Sequence, residues 1–187
     1  MERSVKEKSW AEIDAKLKTF NSDLIKLEYL EAVLRTDVIT DVKRSAIKIL
    51  VAIYEKNLMY DRAAKALSEK AVIDISVRDK IESYTKAGEY YARSGNIESS
   101  DNMFIKAARD ASVDQQKAIK EKMKQIFLNA AKDFEKKSKR NIATKFYERM
   151  LKMNNLNEIE KKEVKDKLMS IYKSFGKFAE MKTLEHM

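Results

Sequence analysis

Apolar residues recur three and four positions apart along nearly the whole chain, the spacing that puts them on one face of an α-helix. Trp10, Ile13, Leu17 and Phe20 form the first such stripe, and Asn21-Ser22-Asp23 behind them supply the short polar side chains of a turn and N-cap. A second helix is predicted from about Leu24, with Leu27, Leu30, Val33 and Leu34 inward, ending near Thr36-Asp37. Thr40 is placed to cap a third, with Ile47, Leu50, Val51 and Tyr54 as its stripe. The region from Asn57 to Tyr60 turns the chain into a fourth, carrying Ala63, Ala64, Leu67 and Ala71. Ser76, with Asp79 three residues on, caps a fifth that buries Tyr84, Ala87, Gly88 and Tyr91. Gly95 suits a left-handed C-cap, and Asn96 caps a sixth helix with Ser100, Phe104 and Ala107 inward.

Nothing interrupts the pattern between Ser112 and Ser138, which predicts one longer helix packing through Phe127, Ala130, Ala131 and Phe134, with its first turns as a charged extension. An eighth helix carries Ile142, Ala143, Phe146, Tyr147, Met150 and Leu151. After the loop Asn154-Asn155-Leu156-Asn157, a ninth carries Val164, Leu168, Ile171 and Tyr172. Gly176 ends it, and Phe178, Met181 and Leu184 mark the tenth. Composition agrees, because the chain has no proline and three glycines while 37% of its residues are charged. Proline costs about 3 kcal/mol and glycine about 1 kcal/mol inside a helix. An all-α protein of ten helices is the expectation.

The helices repeat in pairs. With Gly88 as the reference small residue, equivalent positions fall at Asp14, Val51, Ala131 and Met169, at intervals of 37, 37, 43 and 38 residues. Four residues earlier stand Trp10, Ile47, Tyr84, Phe127 and Lys165, and three later stand Leu17, Tyr54, Tyr91, Phe134 and Tyr172. The second helices align Lys26, Ala63, Ser100, Ala143 and Met181, then Leu30, Leu67, Phe104, Tyr147 and Glu185. Small side chains are required where two backbones approach, and bulky ones where space remains. Asp14, Lys26, Lys165 and Glu185 depart from the rule at the ends, where a neighbouring unit is missing.

The stretch from Tyr84 to Ala107, with Gly88, Tyr91, Gly95, Ser100 and Phe104 at these spacings, resembles a tetratricopeptide repeat. The family's usual proline is absent, and the intervals exceed its roughly 34 residues. The resemblance implies a right-handed α-α superhelix of about five antiparallel helix pairs. Residues 1–187 then form a single repeat domain, with units near 7–36, 41–72, 77–111, 113–153 and 157–187. It also implies a non-enzymatic protein–protein interaction scaffold, whose first helices line a concave face that binds a peptide or protein. Side chains flanking the small positions face that groove, and those expected to hold the partner are Lys86, Glu89, Arg93, Asn129, Lys132, Lys136 and Lys167. Relatives that clamp a C-terminal carboxylate use a set of five lysine, asparagine and arginine positions. Here Lys48 matches, but Ala52, Lys86, Gln125 and Asn129 do not, so that clamp is not expected.

Charge adds a second reading. Of the net charge of +9, residues 1–112 carry +1 and residues 113–187 carry +8. The tract Lys136-Lys137-Ser138-Lys139-Arg140, with Lys132 one turn before it, marks a patch for phosphate or acidic groups, so RNA binding through Lys132, Lys136, Lys137, Lys139 and Arg140 is the alternative function. Most aromatics occupy packing positions; Tyr90 lies off that face and is expected to be open to a partner. Trp10, Met169 and Leu184, near ends that no further unit covers, offer a route to self-association.

Catalytic chemistry is not indicated. The chain has no cysteine, and its single histidine, His186, is the penultimate residue. There is no glycine-rich phosphate loop or paired-histidine metal motif, so neither cofactor nor metal is expected. Glu158, Glu160 and Glu163 stand among lysines and are read as solvent-exposed ion pairs. No apolar run approaches the roughly 18–20 residues of a membrane helix. The start, MERSVKEKSW, lacks the apolar core of a signal peptide, so a cytoplasmic protein is expected.

Overall fold

A computed structural model describes residues 5–186; the first four residues of the charged start, and Met187 at the end of the last unit, lie outside the described residues. Ten helices run through these residues with no strand among them: α1 (Trp10–Lys18), α2 (Asp23–Arg35), α3 (Thr40–Lys56), α4 (Tyr60–Ile73), α5 (Val77–Ser94), α6 (Ile97–Arg109), α7 (Val113–Lys136), α8 (Arg140–Leu151), α9 (Glu158–Ser174) and α10 (Phe178–Glu185). From α2 onward each helix packs on its successor, and α5 also packs on α7, so the chain is an all-helical solenoid.

Side-chain caps set most of the helix starts. Ser22, Ser76 and Asn96 accept from the backbone N–H groups of Leu24, Asp79 and Ser99. Ser9, Ser112 and Asn157 form reciprocal capping boxes with Glu12, Gln115 and Glu160, satisfying two otherwise unpaired donors in each case. Thr40 does not cap α3. It is the first helical residue, the N-cap is Ile39 without a side-chain bond, and negative charge at this end comes from Asp41, which pairs with Arg44. Arg44 in turn donates to the carbonyl oxygen of Ile73 at 2.9 Å, satisfying one of the free acceptors at the end of α4.

The core falls into two apolar clusters. One spans α1 to α5 and reaches Met103 of α6; the other runs from Ala92 of α5 to Leu184 of α10, and Tyr84 packs against both. At the seam, Ser100 Oγ donates to the Gly88 carbonyl oxygen at 2.7 Å, and a Cβ added at Gly88 would stand 2.8 Å from Phe104 Cε2. Smallness at these two positions is therefore a requirement of close helix approach. Phe104 begins an edge-to-face series with Phe127 at 6.0 Å and Phe146 at 5.3 Å beyond it, which carries packing from one unit into the next.

Hydrogen bonds repeat along with the packing. Tyr54 of α3 donates to Glu31 of α2, and Tyr172 of α9 donates to Glu148 of α8 at 2.7 Å. Each tyrosine stands three residues after its unit's small position, and each glutamate follows the aromatic position of the preceding unit. Ser68 and Ile105 occupy that glutamate position in the middle of the chain, where the junctions lack this bond.

Four further expectations need correction. Tyr90 is 1% exposed, because its ring joins the first apolar cluster and stacks on Tyr60 beneath the Lys86–Glu89–Arg93 row. The first turns of α7 are not a free extension: Ile119 and Met123 are buried, and Lys124 is buried with its Nζ 2.7 Å from Glu160 Oε1 and 3.0 Å from Glu121 Oε1. Glu160 is thus a tie between α7 and α9 rather than a solvated charge. Leu184 is buried in the second cluster and is not part of an open end, while Trp10 and Met169 are half-buried.

Candidate functional site

The helical register of α5 places Lys86, Glu89 and Arg93 three and four residues apart, in one row along its surface. Glu89 is the centre of that row, accepting from Arg93 at 2.6 Å and from Lys86 at 3.2 Å. Arg93 also comes within 3.8 Å of Glu55 on α3. Beneath the row lies the buried Tyr90 ring, with Lys86 Nζ 4.9 Å and Arg93 Cζ 5.8 Å from its centroid. Tyr60, the first residue of α4, stacks on Tyr90 at 6.0 Å and lies 5.7 Å from Arg93. Burial opposes the charge of Arg93, yet Glu89 and the Tyr60 hydroxyl hold it above the ordinary guanidinium value. Burial, then the nearby Glu55 carboxylate, pushes the Tyr90 hydroxyl well above the ordinary phenol range, so it stays a neutral donor.

Facing this row across a cleft of about 490 Å³ is the C-terminal half of α7. Glu89 and Arg93 line one wall, Asn129, Lys132 and Lys136 the other, with Tyr60, Ala92 and Phe134 contributing apolar surface and Asp133 and Lys137 more charge. Five of the seven residues expected to hold a partner thus line a single cleft. Lys86 lines a second cleft of about 590 Å³ between α3 and α5, beside Lys48 and the buried Asp74 and Ser83. There Lys70 donates to Asp74 at 2.8 Å and to Ser83 at 3.0 Å, and Ser83 donates to Asp74 at 2.7 Å, so these groups satisfy one another. Lys167 is exposed on α9 and lines neither cleft.

The basic tract continues from the first cleft. Lys132, Lys136 and Lys137 line it, while Lys139 is exposed at the start of α8 and Arg140 lines a separate cleft with Ser138, Asn141 and Phe175. Among the described residues, no ion pair engages Lys132, Lys136, Lys137, Lys139 or Arg140. Sequence reasoning missed Tyr60, because an aromatic at the start of a helix reads as a turn residue until its stack with Tyr90 is seen. It read Phe178 as a packing residue of the last helix and assigned Phe175 no role.

Fold and site define an all-helical solenoid with a polar, largely basic cleft between successive first helices. Compared with known proteins, the chain matches no protein-family model, no curated protein and no solved structure. Among the described residues no helix is long and apolar enough to cross a membrane, and no group of three or more histidine, aspartate and glutamate side chains is arranged to hold a metal ion.

Proposed function

We propose that this chain is a non-catalytic scaffold of tetratricopeptide type that binds a peptide or a segment of a partner protein in the cleft between α5 and α7. One observation carries the reading: Glu89 and Arg93 of α5 and Asn129, Lys132 and Lys136 of α7 line the same space of about 490 Å³. A cleft of that size takes a few residues of a bound chain. Its cations Lys132 and Lys136 are in no ion pair among the described residues, so they favour a segment bearing acidic side chains. Asn129 offers both a donor and an acceptor to a peptide backbone, and the Tyr60 ring supplies apolar contact at low entropic cost.

The test is selection of binders from a random peptide library, followed by fluorescence polarisation against variants. Arg93→Ala, Asn129→Ala, Lys132→Ala and Lys136→Ala are each expected to weaken a selected acidic peptide, by about tenfold for the best-placed of them, with an unchanged melting temperature for the last three and a lower one for Arg93→Ala, which also loses the Glu89 pair. Selected peptides indifferent to all four substitutions would remove this cleft as the binding site.

A further inference from the structure

Of the sixteen aromatic residues in the chain, fourteen are buried or half-buried, and the two exposed rings stand together at one turn. Phe175 is 47% exposed at the end of α9, and Phe178 is 70% exposed at the start of α10. The turn between them is tied down: the Gly176 N–H donates to Lys173 O at 3.2 Å and the Lys177 N–H to Tyr172 O at 3.0 Å. Gly176 itself holds φ at 69°, the left-handed conformation that lets the chain reverse here. Two phenyl rings on a fixed turn cost solvation and contribute little to the core, which is unexpected in a chain that buries or half-buries every other aromatic.

The neighbour of this turn is the basic one. Phe175 lines a single cleft of about 550 Å³ with Ser138, Arg140 and Asn141, so the α9–α10 turn lies against the α7–α8 turn. Arg140 stands beside Phe175 in this cleft, with Lys139 exposed just before it and Lys173 and Lys177 exposed on either side of Gly176. Among these only Lys177 is in an ion pair within the described residues, with Glu180 at 3.8 Å. An apolar partner would leave these charges without counterions. A purely acidic partner would leave the rings in water. Phosphates spaced along a strand whose bases are free to stack match both features at once.

We propose that this surface binds single-stranded nucleic acid, with Lys139 and Arg140 contacting the phosphates and Phe175 and Phe178 stacking on unpaired bases. The strand lies across the two turns, away from the α5–α7 cleft, so the proposal does not rest on the peptide reading. It adds to the basic tract the element that sets single strands apart from other polyanions. Sequence tolerance follows, because every base has a face to stack.

The experiment is fluorescence polarisation at low salt with labelled RNA and DNA strands of about ten nucleotides, the span of an ordinary single-strand site. An abasic strand of equal length, a duplex and a polyglutamate peptide serve as competitors. The base-bearing strands are expected to bind most tightly, and comparison of RNA with DNA distinguishes the two sources of the same chemistry. The double variant Phe175→Leu, Phe178→Leu is expected to lower single-strand affinity about tenfold while leaving the abasic strand and the salt dependence unchanged. The conservative double variant Phe175→Tyr, Phe178→Tyr should restore binding, which separates stacking from a packing role. Lys139→Gln and Arg140→Gln should each flatten the slope of log affinity against log salt by about 0.7. Absence of binding at low salt, equal affinity for the abasic strand, or equal affinity for polyglutamate would each overturn the proposal.

Discussion

Gly88 and Phe104 share a contact that a single methyl group would violate. Replacing an exposed helical glycine with alanine stabilises by about 1 kcal/mol, but overfilling a packed site costs about 1–3 kcal/mol. Because a Cβ here would lie 2.8 Å from the buried Phe104 ring, Gly88→Ala is expected to lower the melting temperature. In a Phe104→Leu background, where the ring is gone, the same substitution should be less harmful or stabilising; additive effects in this double-mutant cycle would show that the contact carries no energy. Phe104→Ala alone should cost about 3–5 kcal/mol by opening a cavity beside Phe127. At Lys124 and Glu160 the sign of a pH effect is fixed. The hydrogen bond from Lys124, then the capping bond of Asn157, holds the Glu160 carboxyl below its ordinary value, so its contribution is present above the unfolded pKa and lost as pH falls through the folded one. The same bond raises the Lys124 ammonium, whose contribution is present below its unfolded pKa and lost as pH rises through the folded one. Glu160→Gln keeps the side-chain shape. It should destabilise at neutral pH, and its difference from the parent in urea unfolding should shrink below about pH 4.

Two helix ends close with glycine in the left-handed region, and their surroundings make them unequal. Gly95 at φ 90° is followed by the Asn96 N–H donating to Tyr91 O at 2.9 Å, and a Cβ there would meet Phe134 at 3.1 Å and Ile142 at 3.2 Å. Gly176 at φ 69° has nothing within 4 Å of such a Cβ. The conformational cost of alanine, roughly 1–2 kcal/mol, applies at both positions. Gly95→Ala is therefore expected to lose more stability than Gly176→Ala by thermal melting, the excess coming from collision with the α7 and α8 side chains. Periodicity exposed the helices because their stripes are long, and the caps because Ser22, Ser76 and Asn96 stand just before them. It misread Tyr90 and Lys124 because a stripe marks one packed face, whereas α5 meets α4, α6 and α7, and α7 meets the start of α9.

Across the whole molecule, stability should fall from the middle toward the ends, as in other stacked repeats where each unit is held by its neighbours. The α4–α5–α6 region has neighbours on both sides and joins the two apolar clusters, whereas α10 has Leu184 as its single buried residue and α1 has Ile13 and Leu17. Native-state hydrogen exchange is expected to show the slowest amides in α4 to α8 and the fastest helical ones in α1 and α10. Uniform protection along the chain would mean that the two clusters unfold as one cooperative body.

The amino-acid order determined the ten helices, most of their caps and the repeated small and bulky positions, because these depend on spacing within about one unit of chain. From the same register it also indicated Glu89, Arg93, Asn129, Lys132 and Lys136 as neighbours of a groove, since a residue's place on a helix follows from its number. Tertiary structure alone decided which faces stayed open. It buried Tyr90 under Tyr60, tied Lys124 to Glu160, left Lys167 outside the cleft, and set the exposed ring of Phe175 beside Arg140. Those outcomes depend on how far successive units rotate and where two distant turns meet, and no local spacing encodes either.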